Sequence, residues 1–301
     1  MTSPTIAALR SVSLNMPDLA KAASFYTEVW NLKVIARDDG AIYLRGTGAD
    51  HHLLSLHQGG DKPQIRHVTF RAHSEAALGE IARNAVAAGG SIAQPLGVLT
   101  DPAGGKGLTV RDHDGRLIQV VYGDKRHSDA GEQKDHPMRL AHVVLNAHDI
   151  PKSQKFFEEA LGFRLLDRTR IMAFMNCNAD HHSLALGDAD NDALNHIAFV
   201  MPEIESVMRG GGRMKDAGHS IEWGPGRHGP GNNAFNYFID PFGVVIEYTA
   251  DVQQVDDSYK VGTPDDWKWP AGRVDHWGIS APPSARLKEA QRAVFFVPSQ
   301  A

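Results

Sequence analysis

ADHHLLSLHQ (49–58) is the stretch that decides the fold, because ADHHSLALGD (179–188) repeats its opening at an offset of 179 − 49 = 130 residues. Self-similarity at a fixed offset dictates an architecture built from copies of one unit. The match extends outward on both sides. LRSVSLNMPDLAKAASFY (9–26) parallels RLAHVVLNAHDIPKSQKFF (139–157), and IRHVTF (65–70) parallels LNHIAF (194–199). VRDHDGRLIQVVYGD (110–124) parallels FIDPFGVVIEYTAD (238–251). Four matched segments in the same order describe a duplicated chain.

Each half divides again. A short strand is followed by a helix and then by further strands, and the order restarts at His67 and at His196. Asp18 is placed to cap the first helix, in which Leu19, Ala22, Ala23 and Tyr26 follow helical spacing. Asp149 precedes Pro151, which a first helical turn tolerates, and Ile150, Phe157 and Leu161 supply an apolar stripe. Further helices are expected near 75–88 and 203–217. AIYLRG, HLLSLH, RIMAFMNC and HSLALG read as strands. The expectation is an α+β chain of four tandem βαβββ modules, two in each of two similar half-barrel domains. GDKRHSDAGEQKDHP (123–137) is polar and lacks apolar periodicity. The expected division is a first domain over 1–122, a linker over 123–139, a second domain over 140–250 and a tail over 251–301.

Composition bounds the function. The chain has 301 residues, with 31 Lys+Arg against 36 Asp+Glu and a formal charge of −5, which argues against a nucleic-acid binder. No apolar run reaches the roughly 20 residues of a membrane span. MTSPTIAALR does not read as a secretory signal. The single Cys177 rules out an internal disulfide framework and a Cys-rich zinc site, and it fits a reducing cytoplasm. Histidine is abundant, at 16 residues, and is the commonest metal ligand.

Three matched positions direct the search among those histidines. Ser11 corresponds to His142, His67 to His196, and Gln119 to Glu247. The second half thus holds two His and one Glu where the first holds Ser, His and Gln. Two imidazoles and one carboxylate make a facial set for a divalent metal that leaves coordination positions open. A lone His in an apolar strand is usually structural. A Glu in GVVIEYT is different, because burying an unpaired carboxylate costs several kcal/mol and calls for a cation or strong donors. His142, His196 and Glu247 are the candidate ligands, and the first half is expected to bind no metal.

LAHVVLN, NCNADHHSLAL, LNHIAF and GRHGPGNNAFNYFIDPFGVVIEY resemble the vicinal oxygen chelate superfamily, and more narrowly its type I extradiol ring-cleaving catechol dioxygenases. The fold-level likeness covers about 9–250 and the specific motifs lie in 140–250. Within them His228 precedes Tyr237 by 237 − 228 = 9 residues, and Tyr237 precedes Glu247 by 247 − 237 = 10. The resemblance implies the vicinal oxygen chelate fold, with Fe(II) or Mn(II) on His142, His196 and Glu247. It implies His182 as an acid/base beside the oxygen site, Tyr237 as a hydrogen-bond partner of a substrate oxygen, and His228 near the substrate. Phe174 and Val144 are expected to wall the ring pocket. His181 has the opposite strand parity from His182 and is read as structural. A catechol and O2 are the implied partners, in a homo-oligomer. His51, His52 and His67 then read as remnants of duplication.

The tail has no counterpart in the first half. It carries Trp267, Trp269, Trp277, Lys260 and Arg273 and is expected to cover the mouth of the site or to pack on the domain surface. Arg273 or Arg227 is a candidate to meet an anionic substituent. Two other functions remain open: a metal-dependent isomerase or lyase of the same superfamily, and a non-enzymatic protein that binds aromatic compounds.

Overall fold

A computed structural model describes residues 5–298. The first sheet contains β1 (Ile6–Met16), β2 (Lys33–Asp38), β3 (Ala41–Arg45), β4 (Leu54–Gln58), β5 (Gln64–Ala72), β6 (Ser91–Val98), β7 (Lys106–Arg111) and β8 (Leu117–Tyr122). The second contains β9 (Arg139–Ala147), β10 (Arg164–Arg168), β11 (Met172–Asn176), β12 (Leu184–Asp188), β13 (Leu194–Val200), β14 (Trp223–Arg227), β15 (Ala234–Ile239) and β16 (Val245–Ala250). Their orders are β2-β3-β4-β1-β5-β8-β7-β6 and β10-β11-β12-β9-β13-β16-β15-β14. Adding eight to each label of the first gives the second, so the two halves share one topology. In both, the first strand of each module runs parallel to its last, and the two modules meet along an antiparallel pair. The four βαβββ modules read from the repeat are present.

The helices follow their local signals. They are α1 (Leu19–Ser24), α2 (Glu75–Ala87), α3 (Ile150–Leu161), α4 (Ile204–Asp216) and the short α5 (Ala285–Ala290). Asp18 and Asp149 each accept a hydrogen bond from the backbone three residues on, at 2.9 Å, satisfying an otherwise orphaned N–H. The helix expected through Tyr26 continues past Ser24 as a π-helical turn, Phe25–Val29. α4 contains Gly210, where an added Cβ would lie 2.7 Å from the Tyr248 ring. A glycine inside a helix costs about 1 kcal/mol relative to Ala, and here it permits close packing of the helix on β16.

The core is shared between the halves. One continuous apolar cluster runs from Ile6 through Phe157 to Ala250. Trp30, just beyond α1 in the first half, stacks on Tyr248 of the second at 3.6 Å and 6°. The Tyr248 hydroxyl donates to the Trp30 carbonyl at 2.9 Å, and Tyr26 donates to Asp240 at 3.0 Å. Arg116, fully buried, reaches from Asp112 at 2.6 Å to the Asn146 carbonyl at 2.7 Å. The segment read as a linker is tied down too, since Asp124 is buried against Arg10 and Arg71. Among the described residues no helix is long and apolar enough to cross a membrane.

Candidate metal centre

Strand register assembles the site. Tyr237 is paired with Glu247, Glu247 with Ala198, and Ala198 with His142, so one row crosses β15, β16, β13 and β9. The next row runs Phe174, Ala185, Val144, His196. Paired residues share a face of the sheet. Two rows therefore bring the three candidate ligands, Tyr237 and both expected wall residues to one face.

His142, His196 and Glu247 are all buried. His142 Nε2 lies 3.3 Å from His196 Nε2 and 3.2 Å from Glu247 Oε2, and His196 Nε2 lies 3.3 Å from that same oxygen. Ligands at about 2.1 Å from a metal stand roughly 3 Å apart when mutually cis. The three atoms thus form one triangular face of the right size. Their chemistry fits as well, with two imidazole nitrogens and one carboxylate oxygen. His196 Nδ1 meets Asn195 Oδ1 at 2.8 Å, which turns its Nε2 lone pair toward the face. A register irregularity between Leu194 and His196 brings these neighbouring side chains together. Asn233 Nδ2 lies 3.4 Å from the other Glu247 oxygen, Oε1.

The electrostatics follow from burial. Burial alone would raise the Glu247 carboxyl, but the imidazoles of His142, His196 and His228 gathered around it outweigh burial and hold the group well below its ordinary range. Burial lowers His196 to about 4, with Glu247 pulling the other way. Burial, then His142 and His181, keep His182 well below its ordinary value. Burial, then the Glu247 charge, raise Tyr237 well above its ordinary value, so it stays a phenol.

A cavity of about 270 Å³ opens beside the triangle, lined by Val144, Phe174, His182, His228, Trp223 and Tyr237 among others. The Tyr237 hydroxyl lies 3.0 Å from His228 Nε2. His228 stacks on Phe235 at 4.0 Å, which holds its ring. His182 lies against His142, ring centroids 4.3 Å apart, and packs edge-on to Phe174 at 5.1 Å. Gly231, at φ +82°, lets the 228–233 loop approach, since an added Cβ would lie 2.8 Å from His182 Cε1.

Arg273 does not line this cavity, contrary to its expected place at the substrate; its guanidinium packs against Gly278. Arg227 is paired with Asp251 at 2.8 Å and lies over Trp277. Trp267 and Trp269 abut Gly229 and support the loop, while Pro283 and Gln291 are the tail residues at the cavity. Sequence reasoning did not single out Asn195, Asn233, Asp167 or Gln291. Gln291 Nε2 donates to Asn195 Oδ1 at 2.9 Å, so the tail buttresses the partner of His196. Adjacency to His196 was the available signal for Asn195, and a carboxylate inside LLDR was the signal for Asp167.

The first half shows what the matched positions become without the triad. Its rows read Thr109, Gln119, Thr69, Ser11 and Tyr43, Ser55, Ser13, His67. Arg10 Nη1 lies 3.1 Å from both Ser11 Oγ and His52 Nε2, placing a fixed cation there.

A duplicated half-barrel with a His–His–carboxylate face in one half defines a class of metal-binding protein. The chain belongs to the Glyoxalase/Bleomycin resistance protein/Dioxygenase superfamily, whose family model matches residues 8–120 and 139–248. It is similar to Metapyrocatechase 2 of Cupriavidus necator, 28% identical over 90% of this chain and 88% of that protein. It is also similar to the Mn(II)-bound glyoxalase from Novosphingobium aromaticivorans, with TM-score 0.87 and 31% identity over 94% of each chain. A homoprotocatechuate 2,3-dioxygenase from B. fuscum shares the fold, with TM-score 0.81 and 24% identity over 92% of this chain and 80% of that one.

Proposed function

We propose that this chain is an extradiol dioxygenase that opens the ring of a catechol beside its diol and inserts both atoms of O2, giving a hydroxymuconic-semialdehyde-type product. The observation that carries this reading is the triangular His142, His196, Glu247 face beside an apolar cavity that also presents the Tyr237 hydroxyl and the His182 ring. The likeness to Metapyrocatechase 2 supports it. His142, His196 and Glu247 hold Fe(II) or Mn(II). Bound there, the metal supplies Lewis acidity and an electron path between ring and dioxygen.

The chain's own residues do the rest. Val144 and Phe174 clamp the ring and exclude water from it. The cavity, about 270 Å³, has room for one substituted ring. Neutral His182 takes a proton from a catechol hydroxyl and returns it later in the reaction. Tyr237, kept as a phenol, donates a hydrogen bond to a substrate oxygen, and His228 holds that hydroxyl in place. Residues 140–250 form the catalytic domain. The first domain, 1–122, described from residue 5, carries no metal; 123–139 joins the two, and the described part of the tail, 251–298, packs at the cavity mouth. The enzyme is a cytoplasmic homo-oligomer.

A second reading, a metal-dependent isomerase, is favoured by the name of the 31% identical Novosphingobium structure. Ser11, Gln119 and the Arg10 cation weigh against ligands from the first half. One experiment separates the readings. The stripped protein is reloaded anaerobically with Fe(II) or Mn(II), given catechol and then exposed to O2. Stoichiometric oxygen uptake with a yellow product supports ring cleavage. No uptake with either metal, together with turnover of a glutathione hemithioacetal, selects the isomerase.

A further inference from the structure

Behind His182 runs a line of buried polar groups with no part in the chemistry above. His182 Nδ1 lies 3.0 Å from His181 Nδ1, and His181 Nε2 lies 2.7 Å from Asp167 Oδ2. His181 and Asp167 are both fully buried. The tail completes the carboxylate's shell. The Tyr259 hydroxyl donates to Asp167 Oδ2 at 3.1 Å, and the Gly262 N–H donates to Oδ1 at 2.9 Å.

This line has only one consistent arrangement of hydrogens for neutral rings. An ionised carboxylate only accepts, so His181 Nε2 carries a hydrogen. His181 Nδ1 is then an acceptor, and the hydrogen between the two Nδ1 atoms belongs to His182. A neutral imidazole carries one hydrogen, so His182 Nε2, the nitrogen left for the cavity, is bare.

We propose that Asp167 and His181 are positioning residues that fix His182 in the tautomer whose unprotonated Nε2 faces the cavity, and that tail residues 259–262 hold Asp167 in place. The proposal rests on His182 as the proton acceptor for substrate. A carboxylate two groups back then decides whether that nitrogen can accept the proton at all.

The duplicated half provides an internal comparison. His51 and His52 repeat the Nδ1–Nδ1 contact at 3.0 Å. Behind them the carboxylate is missing, because Asp167 pairs with Phe174 whereas the matching partner of Tyr43 is Ala36. His51 stacks on His127 instead, at 5.2 Å. In that half Arg10 meets His52 Nε2, and a guanidinium only donates. The tautomer is set there from the front, and the lone pair is consumed. In the half with the metal face the front is open, so the tautomer has to be set from behind. A doublet serving only to pack the sheet would not need the carboxylate in one half alone.

The test reads the tautomer directly. Full-length chain with ¹⁵N-labelled histidine is stripped of paramagnetic metal, and long-range ¹H–¹⁵N spectra are recorded with and without Zn(II). His182→Phe assigns the signals. Protonated Nδ1 and bare Nε2 on His182 in the unsubstituted chain support the proposal; a protonated Nε2 overturns it. Asp167→Asn is expected to shift His182 toward the Nε2–H form. It should lower kcat on the order of 10²-fold, the scale of general-base catalysis, with KM and metal content within about twofold. Asp167→Glu should restore most of the loss. An unchanged His182 tautomer in Asp167→Asn overturns the proposal. If Asp167→Asn does not fold, the tautomer in the unsubstituted chain still decides. A bare Nε2 without any catechol-dependent oxygen uptake would leave the positioning pair standing and remove the dioxygenase reading instead.

Discussion

His142 and Glu247 are 105 residues apart in the chain, yet His142 Nε2 and Glu247 Oε2 lie 3.2 Å apart. Both are paired with Ala198 in one row of the sheet. The closeness is a product of register. A slip of one residue in β13 would turn His196, the third ligand, to the opposite face. The site is thus as rigid as the sheet that carries it.

Glu247→Gln swaps an anionic ligand for a neutral amide of the same shape. Loss of an outer partner such as Asn195 typically costs roughly 10–100-fold in metal affinity, and loss of the carboxylate is expected to cost more. Metal content of the purified variant, measured by plasma spectrometry, should fall together with oxygen uptake. A fully loaded and active Glu247→Gln chain would contradict the assignment.

His182→Phe should keep the metal and lose turnover, by about 10²–10⁴-fold if it acts in proton transfer. Gly231→Ala offers a second route to the same phenotype. Its methyl would lie 2.8 Å from His182 Cε1, at a backbone φ of +82° that an L side chain rarely adopts. Metal analysis beside steady-state kinetics checks both, and loss of metal in either variant would count against the division of roles.

Acid should destabilise the metal-free fold in a defined window. Burial lowers His196 and His57 to about 4 and His67 to about 3, all below the ordinary histidine value near 6.5. Above pH ~6.5 these rings are neutral in both the folded and the unfolded chain. As the pH falls from there, the unfolded chain takes up protons that the fold refuses. Stability is lost down to about pH 3–4, and these groups contribute no further loss below it. Thermal midpoints of the metal-free chain should stay level from pH 7.5 to about 6.5 and fall from there to pH 4, and a flat or rising profile over that lower range would refute the assignment of neutral rings.

Arg116→Met removes the cation that joins Asp112 to the Asn146 carbonyl. Breaking a buried pair and stranding its partner costs about 3–5 kcal/mol. Urea unfolding should show a lower midpoint with a single transition for probes placed in either half. Two separated transitions would show instead that the halves unfold independently.

Much of this was legible in the chain. The 130-residue offset carried the module order, and the contrast of Ser11 with His142 and of Gln119 with Glu247 singled out residues that the fold brings together, because a buried carboxylate stands out against apolar neighbours. Other features were hidden for physical reasons. Asn195 acts through an irregularity that strand alternation does not foretell. Asp167 meets His181 at 2.7 Å across 14 residues of chain, and neither residue alone carries a signal for that contact. Arg273 had the charge for an anionic ligand, but its direction is set by the fold of a tail with no repeat to compare.

The stacking of Trp30 on Tyr248 bears on why the half without a metal face persists. Its indole, fully buried, sits among Phe199 and Phe238 beneath the strand that carries Glu247. Deleting the first half would leave an oily socket under the strand that carries Glu247 and invite self-association. The first half is therefore held to its shape by what it covers, whatever residues stand at the positions matching His142 and Glu247.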